Sequence, residues 1–263
     1  MSTRPHRKPR HTGALRRVGL AFLSVGIALV LFCGYVFWGS NVAGDHAAAQ
    51  ILERASTQLD HSDAGEASPV VVPPVRAASA QPSTRQATGA QASSTTPRSP
   101  DPQSDLAPGD LVGVVSIPSI DLELPVLEGI DAEVLDQGVL GHYPGTGRPG
   151  AVGNFALAGH RTTHGAPLYD IDQIEVGDPI VVQTPRGWDV YTMQRQRIVD
   201  PEAVDVLAPV PDDPQAVPTE SWMVLTSCHP KLSAAQRMVV YATIDRQVSR
   251  DQGPPPELGT TSD

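Results

Sequence analysis

A chain of 263 residues with 26 prolines, 23 glycines and only 5% aromatics carries too much turn-forming residue for one uniform globule, so ordered and unordered stretches must alternate along it. Net charge is −10, and the first 17 residues hold Arg4, Arg7, Lys8, Arg10, Arg16 and Arg17 with no acid, leaving 13 basic against 29 acidic residues, or −16, in the remainder. A remainder that acidic excludes nucleic acid and an anionic lipid surface as partners of the bulk of the chain.

Residues 1–17 read as a basic tail. Residues 18–38 (VGLAFLSVGIALVLFCGYVFW) follow without a charge. About 20 helical residues span the hydrocarbon core, so this stretch reads as a single transmembrane helix. Tyr35 and Trp38 stand at its far end, where interfacial aromatics belong. The basic flank keeps the N-terminus cytoplasmic and the rest extracytoplasmic. A cleaved signal peptide is the rival reading, but the apolar run is long and Ser40-Asn41-Val42-Ala43 is a mediocre cleavage site.

Residues 39–108 read as an extracytoplasmic linker, with a short juxtamembrane helix over 46–59 (HAAAQILERASTQL). From 60 to 108 the chain is largely Ala, Ser, Thr, Pro and Gln, and buries too little apolar surface to offset its ordering entropy. As a flexible tether of about 50 residues it spans on the order of 40 Å.

Residues 109–245 form the one expected folded domain. Its segments are short and β-prone (LVGVVSIPSI, LELPVLEG, NFALAGH, DPIVVQT, WDVYTMQRQRIV), and turn signals at Pro149-Gly150, Gly177-Asp178 and Pro185-Arg186-Gly187 separate them. Only DAEVLDQG, 131–138, suggests a helical turn or two. Many short strands with close turns mean a sandwich or a barrel, an all-β fold. Residues 246–263 read as a disordered polar tail.

Two apolar runs end the domain: Met223–Thr226, capped by Cys228, and Arg237–Ile244, with HPKLSAAQ between them. Strands joined so closely pair as an antiparallel hairpin. Cys228 and Arg237 would then face one another at one sheet edge. A thiol and a fixed cation there supply a nucleophile and a charge for an oxyanion, the needs of acyl transfer. The plainer alternative makes Cys228 a buried small hydrophobe of a wall-spanning scaffold. Cys33 lies in the apolar segment, so a disulfide to it is implausible.

Gly159-His160-Arg161-Thr162-Thr163-His164-Gly165 follows the NFALA strand. A histidine brought beside Cys228 could move the protons of a thiol. His142, His160 and His164 all compete for that place, with a mild preference for His160 at the strand end. His229 points away, as a neighbour in extended chain does. His160 and His164 have i, i+4 spacing, but a metal-binding pair at that spacing wants a helix, which Gly165 and Pro167 disfavour; no metal and no cofactor is expected.

The wording LTSCHPKLSAAQR resembles the sortase signature, in which a TLxTC strand is followed by an arginine on the next strand. NFALAGHRTTHGAPL is similar to the segment carrying that family's histidine, and GHYPGTGRPG with CHPKxSAxxR resembles the class E type of actinobacteria. The likeness covers residues 109–245. Ser227 departs from the usual Thr, and Trp222-Met223 replaces a plainer lead-in. The resemblance implies an eight-stranded β-barrel with short helices. It makes Cys228 the nucleophile, His160 the general acid/base and Arg237 the oxyanion-binding cation, with Tyr143 and Thr226 binding substrate. Tyr143 matches the tyrosine associated with Ala after Leu, hence an LAxTG preference within LAxTG/LPxTG signals. The implied partners are secreted proteins bearing that signal and a peptidoglycan-precursor (lipid II) amine. A pilus-polymerising enzyme using a pilin lysine, and a cysteine protease hydrolysing the same thioacyl intermediate, are the alternatives. Calcium aids some sortases, but no carboxylate cluster here is strong enough to imply it.

Overall fold

The computed structural model describes residues 12–61 and 106–259. Helix α1 runs Thr12–His61 without a break. The eight strands are β1 (Leu111–Ile117), β2 (Leu122–Glu128), β3 (Leu140–His142), β4 (Gly153–Ala158), β5 (Pro179–Thr184), β6 (Gly187–Val199), β7 (Ser221–His229) and β8 (Gln236–Ser249), and α2 (Ala132–Leu135) lies between β2 and β3. They close into a barrel in the order β1-β2-β3-β4-β7-β8-β6-β5, the eight-stranded architecture expected. β2–β3 and β4–β7 are its parallel pairs.

Alternation along the strands sorts side chains between two cores. Phe155 and Leu157 of β4, Met223 and Leu225 of β7, and Met238 and Val240 of β8 fill the barrel interior. The residues between them, Ala156, Val224, Val239 and Tyr241, pack outside against Val206 of the β6–β7 connection. That connection is tied down by Asn154, whose Nδ2 donates to the Val206 and Ala208 carbonyls at 3.0 Å each. Asp212 holds it from the other side, meeting Arg195 at 2.9 Å, Arg197 at 2.6 Å and the Tyr241 hydroxyl at 3.0 Å. The outer face of β4, β7 and β8 thus gains one wall.

α1 corrects the expected boundaries. The apolar stretch 18–38 and the juxtamembrane stretch 46–59 are one helix, because no proline interrupts the chain between them and Ala-rich sequence favours propagation. Residues 39–61, read as the beginning of a linker, are helical. Their apolar side docks on the barrel: Ala48 packs with Leu127, Val134 and Val139, and Ala55 and Leu59 pack with Val114. Burying a side chain such as Leu59, 1% exposed, contributes about 1.5–3 kcal/mol. Of the tether expected over 60–108, residues 62–105 lie outside the described residues.

The C-terminal segment departs from expectation as well. β8 continues to Ser249, and single 3-10 turns follow at Arg250–Gln252 and Pro256–Leu258. Arg246 clamps Glu257 through two bonds of 2.7 Å, holding that carboxyl below its ordinary range. The ion pair, with Leu258 packed against Trp188 and Val190, orders a stretch whose composition alone suggested disorder. Of the expected tail, 260–263 lies outside the described residues.

Candidate active site

β7 and β8 pair so that Cys228 stands opposite Arg237. Directly paired residues on an antiparallel pair share a face, and Cys228 follows Val224 and Thr226 on the outer face of β7. Its thiol is free and part-exposed. On the other flank, β4 runs parallel to β7 with Ala158 beside Thr226. The Gly159 N–H donates to the Thr226 carbonyl at 3.1 Å, and Ser227 Oγ donates to the Gly159 carbonyl at 2.8 Å. β4 ends at Ala158, and continuing its register two residues further would bring His160 level with Cys228. Cys228, Arg237 and the His160 loop therefore belong to neighbouring strand ends.

Each end is fastened. Arg161, 2% exposed, donates from Nε to the Tyr169 carbonyl at 2.7 Å, pairs with Asp172 at 2.7 Å and reaches the Cys228 carbonyl at 3.5 Å. It joins the His160 loop to the backbone of the cysteine strand. No spacing in the sequence marks it, since it reads as one more surface cation. Arg237 lays its guanidinium on the β7–β8 connection, donating to the carbonyls of Ala234 at 2.9 Å and Gln236 at 3.0 Å. Ala234 lies in the exposed connection and Gln236 at the first position of β8, so the fork can be exchanged for another acceptor.

Tyr143 and Thr226 lie on the same outer face. Thr226 Oγ1 donates to the Leu157 carbonyl at 3.1 Å. Its single proton being used there, the 2.9 Å contact with Tyr143 is donated by the tyrosine hydroxyl. Thr226 is buried, and its hydroxyl is committed to the scaffold; Tyr143 is only half-buried and carries the accessible surface of the pair.

The three competing histidines separate. His142 is 1% exposed, with Nδ1 2.7 Å from Glu128, and Nε2 2.9 Å from the Gly147 carbonyl and 3.0 Å from Thr146. Arg148 joins the same carboxylate at 3.0 Å. Both ring nitrogens are engaged, and the network braces the β3–β4 turn. His160 instead has Nε2 2.8 Å from Asp136 Oδ1, and His164 Nδ1 lies 3.5 Å from that same oxygen. Asp136 was invisible in the sequence. It stands at the C-terminus of α2, a helix begun by Asp131, whose side chain accepts from the Val134 N–H. Gly138 then turns the chain at φ 75°, where a Cβ would lie 2.7 Å from the Gly44 carbonyl of α1. α1 reaches the histidine loop itself: Asn41 Oδ1 accepts from the Gly165 N–H at 3.2 Å.

Residues 115–245 match the sortase domain family. The chain is 39% identical to the crystal structure of sortase E1 from Streptomyces coelicolor, covering 59% of this chain and 99% of that one at a TM-score of 0.54. The chain belongs to the sortase family. It is also 35% identical to the SrtA sortase of Actinomyces oris, over 60% of this chain and 92% of that one, at a TM-score of 0.55. Sortase SrtE1 of Streptomyces coelicolor is 32% identical over 93% of this chain, which spans 61% of that relative's length. Sortase SrtE2 of the same organism is 28% identical over 93% of this chain and 88% of its own. These likenesses support the class E type. Sortases are transpeptidases of sorting-signal-bearing proteins and are membrane-associated, and among the described residues one helix, α1, is long and apolar enough to cross a bilayer.

Proposed function

We propose that this sortase is a membrane-anchored cysteine transpeptidase that cuts an LAxTG/LPxTG-type signal between Thr and Gly and joins the protein to a peptidoglycan-precursor amine. The observation that carries the reading is the Cys228–Arg237 pairing with His160 at the adjoining strand end. A structure of Streptomyces coelicolor sortase E1 holds a tripeptide in its active site, in keeping with a peptide groove on this face.

Cys228 is the nucleophile. Its thiolate sulfur attacks the Thr carbonyl carbon, and Arg237 donates to the oxygen that gains the electron pair. The C–N bond breaks as His160 gives its proton to the departing glycine amine, leaving a thioester. An incoming amine then attacks the same carbon. His160 takes its proton, the C–S bond breaks, and the thiolate returns. Tyr143 lines the groove where the residue after Leu would sit, with Thr226 supporting its hydroxyl.

The anchoring half of the proposal rests on α1. The basic tail stays cytoplasmic and the barrel is extracytoplasmic. Asn41 stands three residues past Trp38, about 5 Å along a helix axis, so the catalytic rim lies close to the bilayer surface, where a lipid-linked amine is presented.

Mass spectrometry of the full chain in detergent micelles after exposure to an LAETG peptide tests the reading. An acyl adduct on Cys228, followed by a product containing added amine, is expected. A cysteine that never acylates refutes it. Adduct decaying only to free acid, with amine present, makes the protein a protease instead.

A further inference from the structure

Asp136, His160 and His164 come from two separate segments, yet one ligand atom from each can be chosen so that all lie within 4.8 Å of one another. We propose that these three side chains form a site for a divalent d-block metal, zinc foremost, and that its occupancy withdraws His160 from proton transfer. The second half rests on the role given to His160 above; the site itself does not.

The distances suit the ion. Zinc binds imidazole nitrogen at about 2.0–2.1 Å and carboxylate oxygen at about 2.0–2.2 Å, so neighbouring ligand atoms of a tetrahedron are roughly 3.3–3.4 Å apart. The Asp136 Oδ1 contacts, 2.8 Å to His160 Nε2 and 3.5 Å to His164 Nδ1, straddle that value. The two rings lie 4.9 Å apart at 33°. A helix is not needed to bring them together, because His164 at φ 52° folds the loop back. His164 Nδ1 supplies a separate pointer: the atom is buried on a ring that is 32% exposed, and its 3.5 Å approach to Asp136 makes no hydrogen bond among the described residues, which is rare for a buried ring nitrogen.

The donor set chooses the metal. Two imidazoles and one carboxylate favour zinc and its neighbours, whereas calcium and magnesium want oxygen throughout. Three protein ligands leave a fourth position for water. The loop is backed by α1: Asn41 holds the Gly165 N–H, and Gly44 abuts the His164 carbonyl so closely that a Cβ would lie 2.6 Å from its oxygen. A metal on His160 Nε2 takes the lone pair that would otherwise hold a proton, and its charge disfavours the imidazolium.

The test uses the full chain in detergent micelles, with Co(II) as optical probe and Zn(II) as inhibitor. Expected are intense tetrahedral d–d bands at one equivalent of cobalt, kept in Cys228→Ala, which removes the competing thiol. His164→Asn tolerates the left-handed backbone and lacks the imidazole. Losing a ligand costs no less than the 10–100-fold typical of an outer-sphere partner, so this variant should weaken binding at least about tenfold while keeping metal-free turnover. Zinc should suppress wild-type turnover, EDTA should restore it, and His164→Asn should need at least about ten times more zinc. Absent bands, or equal affinity in His164→Asn, overturn the site. Bands lost in Cys228→Ala reassign the metal to the thiol. Bands without zinc inhibition keep the site and overturn its effect on His160. Binding in a protein that shows no transpeptidation with sorting peptides and amine keeps the site and sinks the functional reading instead.

Discussion

Cys228 and Arg237 occupy directly opposed positions across β7 and β8, eight residues before the first bulge of β8 against β6, where regular pairing leaves both side chains on the outer face. Among the described residues, backbone carbonyls alone hold the guanidinium. Removing the sulfur in Cys228→Ala should abolish the acyl adduct. Arg237→Ala and His160→Ala should each cut turnover by at least about 100-fold, the range for losing an oxyanion donor or an acid/base. Arg237→Lys keeps the charge but not the fork, and should recover only part of the loss. Steady-state transpeptidation with a sorting peptide and an amine checks all four.

Arg161 is a structural pin. Its neutral counterpart in Arg161→Met removes the bond to the Tyr169 carbonyl, and a hydrogen bond from a charged donor contributes about 1.5–3 kcal/mol. Asp172 is 41% exposed and can be rehydrated, so its lost ion pair adds little. The variant should unfold earlier in urea by that amount. Because the same side chain reaches the cysteine strand, turnover should fall at temperatures where the protein is still folded.

Tyr143 offers a specificity test. Tyr143→Phe removes the bond to Thr226 but keeps the ring, and should change stability by only about 0.5–1.5 kcal/mol. Tyr143→Leu removes the ring that faces the proposed peptide groove. The ratio of kcat/KM for LAETG over LPETG should fall in the leucine variant and stay near wild type in the phenylalanine one.

Asp189 makes stability depend on pH. Burial pushes its carboxyl up from the ordinary value of 3.8, outweighing the hydrogen bond from Gln247 and the charge of Arg186, and its Oδ2 has no hydrogen-bond partner among the described residues. The folded state therefore holds a proton over a window in which the unfolded chain has lost one. By linkage, stability falls as pH rises from the unfolded pKa through the folded one, and this contribution is absent below the unfolded pKa. Asp189→Asn should flatten that slope and exceed wild type in stability at neutral pH, read by urea unfolding between about pH 4 and pH 7.

Gly44 tests the docking of α1. A side chain there would place Cβ 2.3 Å from the His164 carbonyl carbon. Gly44→Leu must lift the helix from the histidine loop. Turnover of the full chain should drop, and urea unfolding should move earlier, because lifting α1 weakens the apolar contacts of Ala48, Ala55 and Leu59 with the barrel.

Local pattern determined a good deal of this protein. An uncharged run of about 21 residues can only be a membrane-length helix or a leader, and short β-prone runs between turn signals made an all-β domain. The family signature supplied the eight-stranded barrel. Even the opposition of 228 and 237 was legible, because eight intervening residues leave a hairpin few registers. Other relationships waited on tertiary structure. β4 and β7 are parallel neighbours about 68 positions apart, and only barrel closure decides that 158 meets 226. That choice separates His160 from His142, which burial and Glu128 commit to the scaffold. Asp136 and Arg161 carry no local signal, since charge in a loop looks the same whether it faces water or a histidine. The same holds for α1 and the C-terminal turns: composition weighs a segment against solvent, whereas their order comes from the barrel surface they cover.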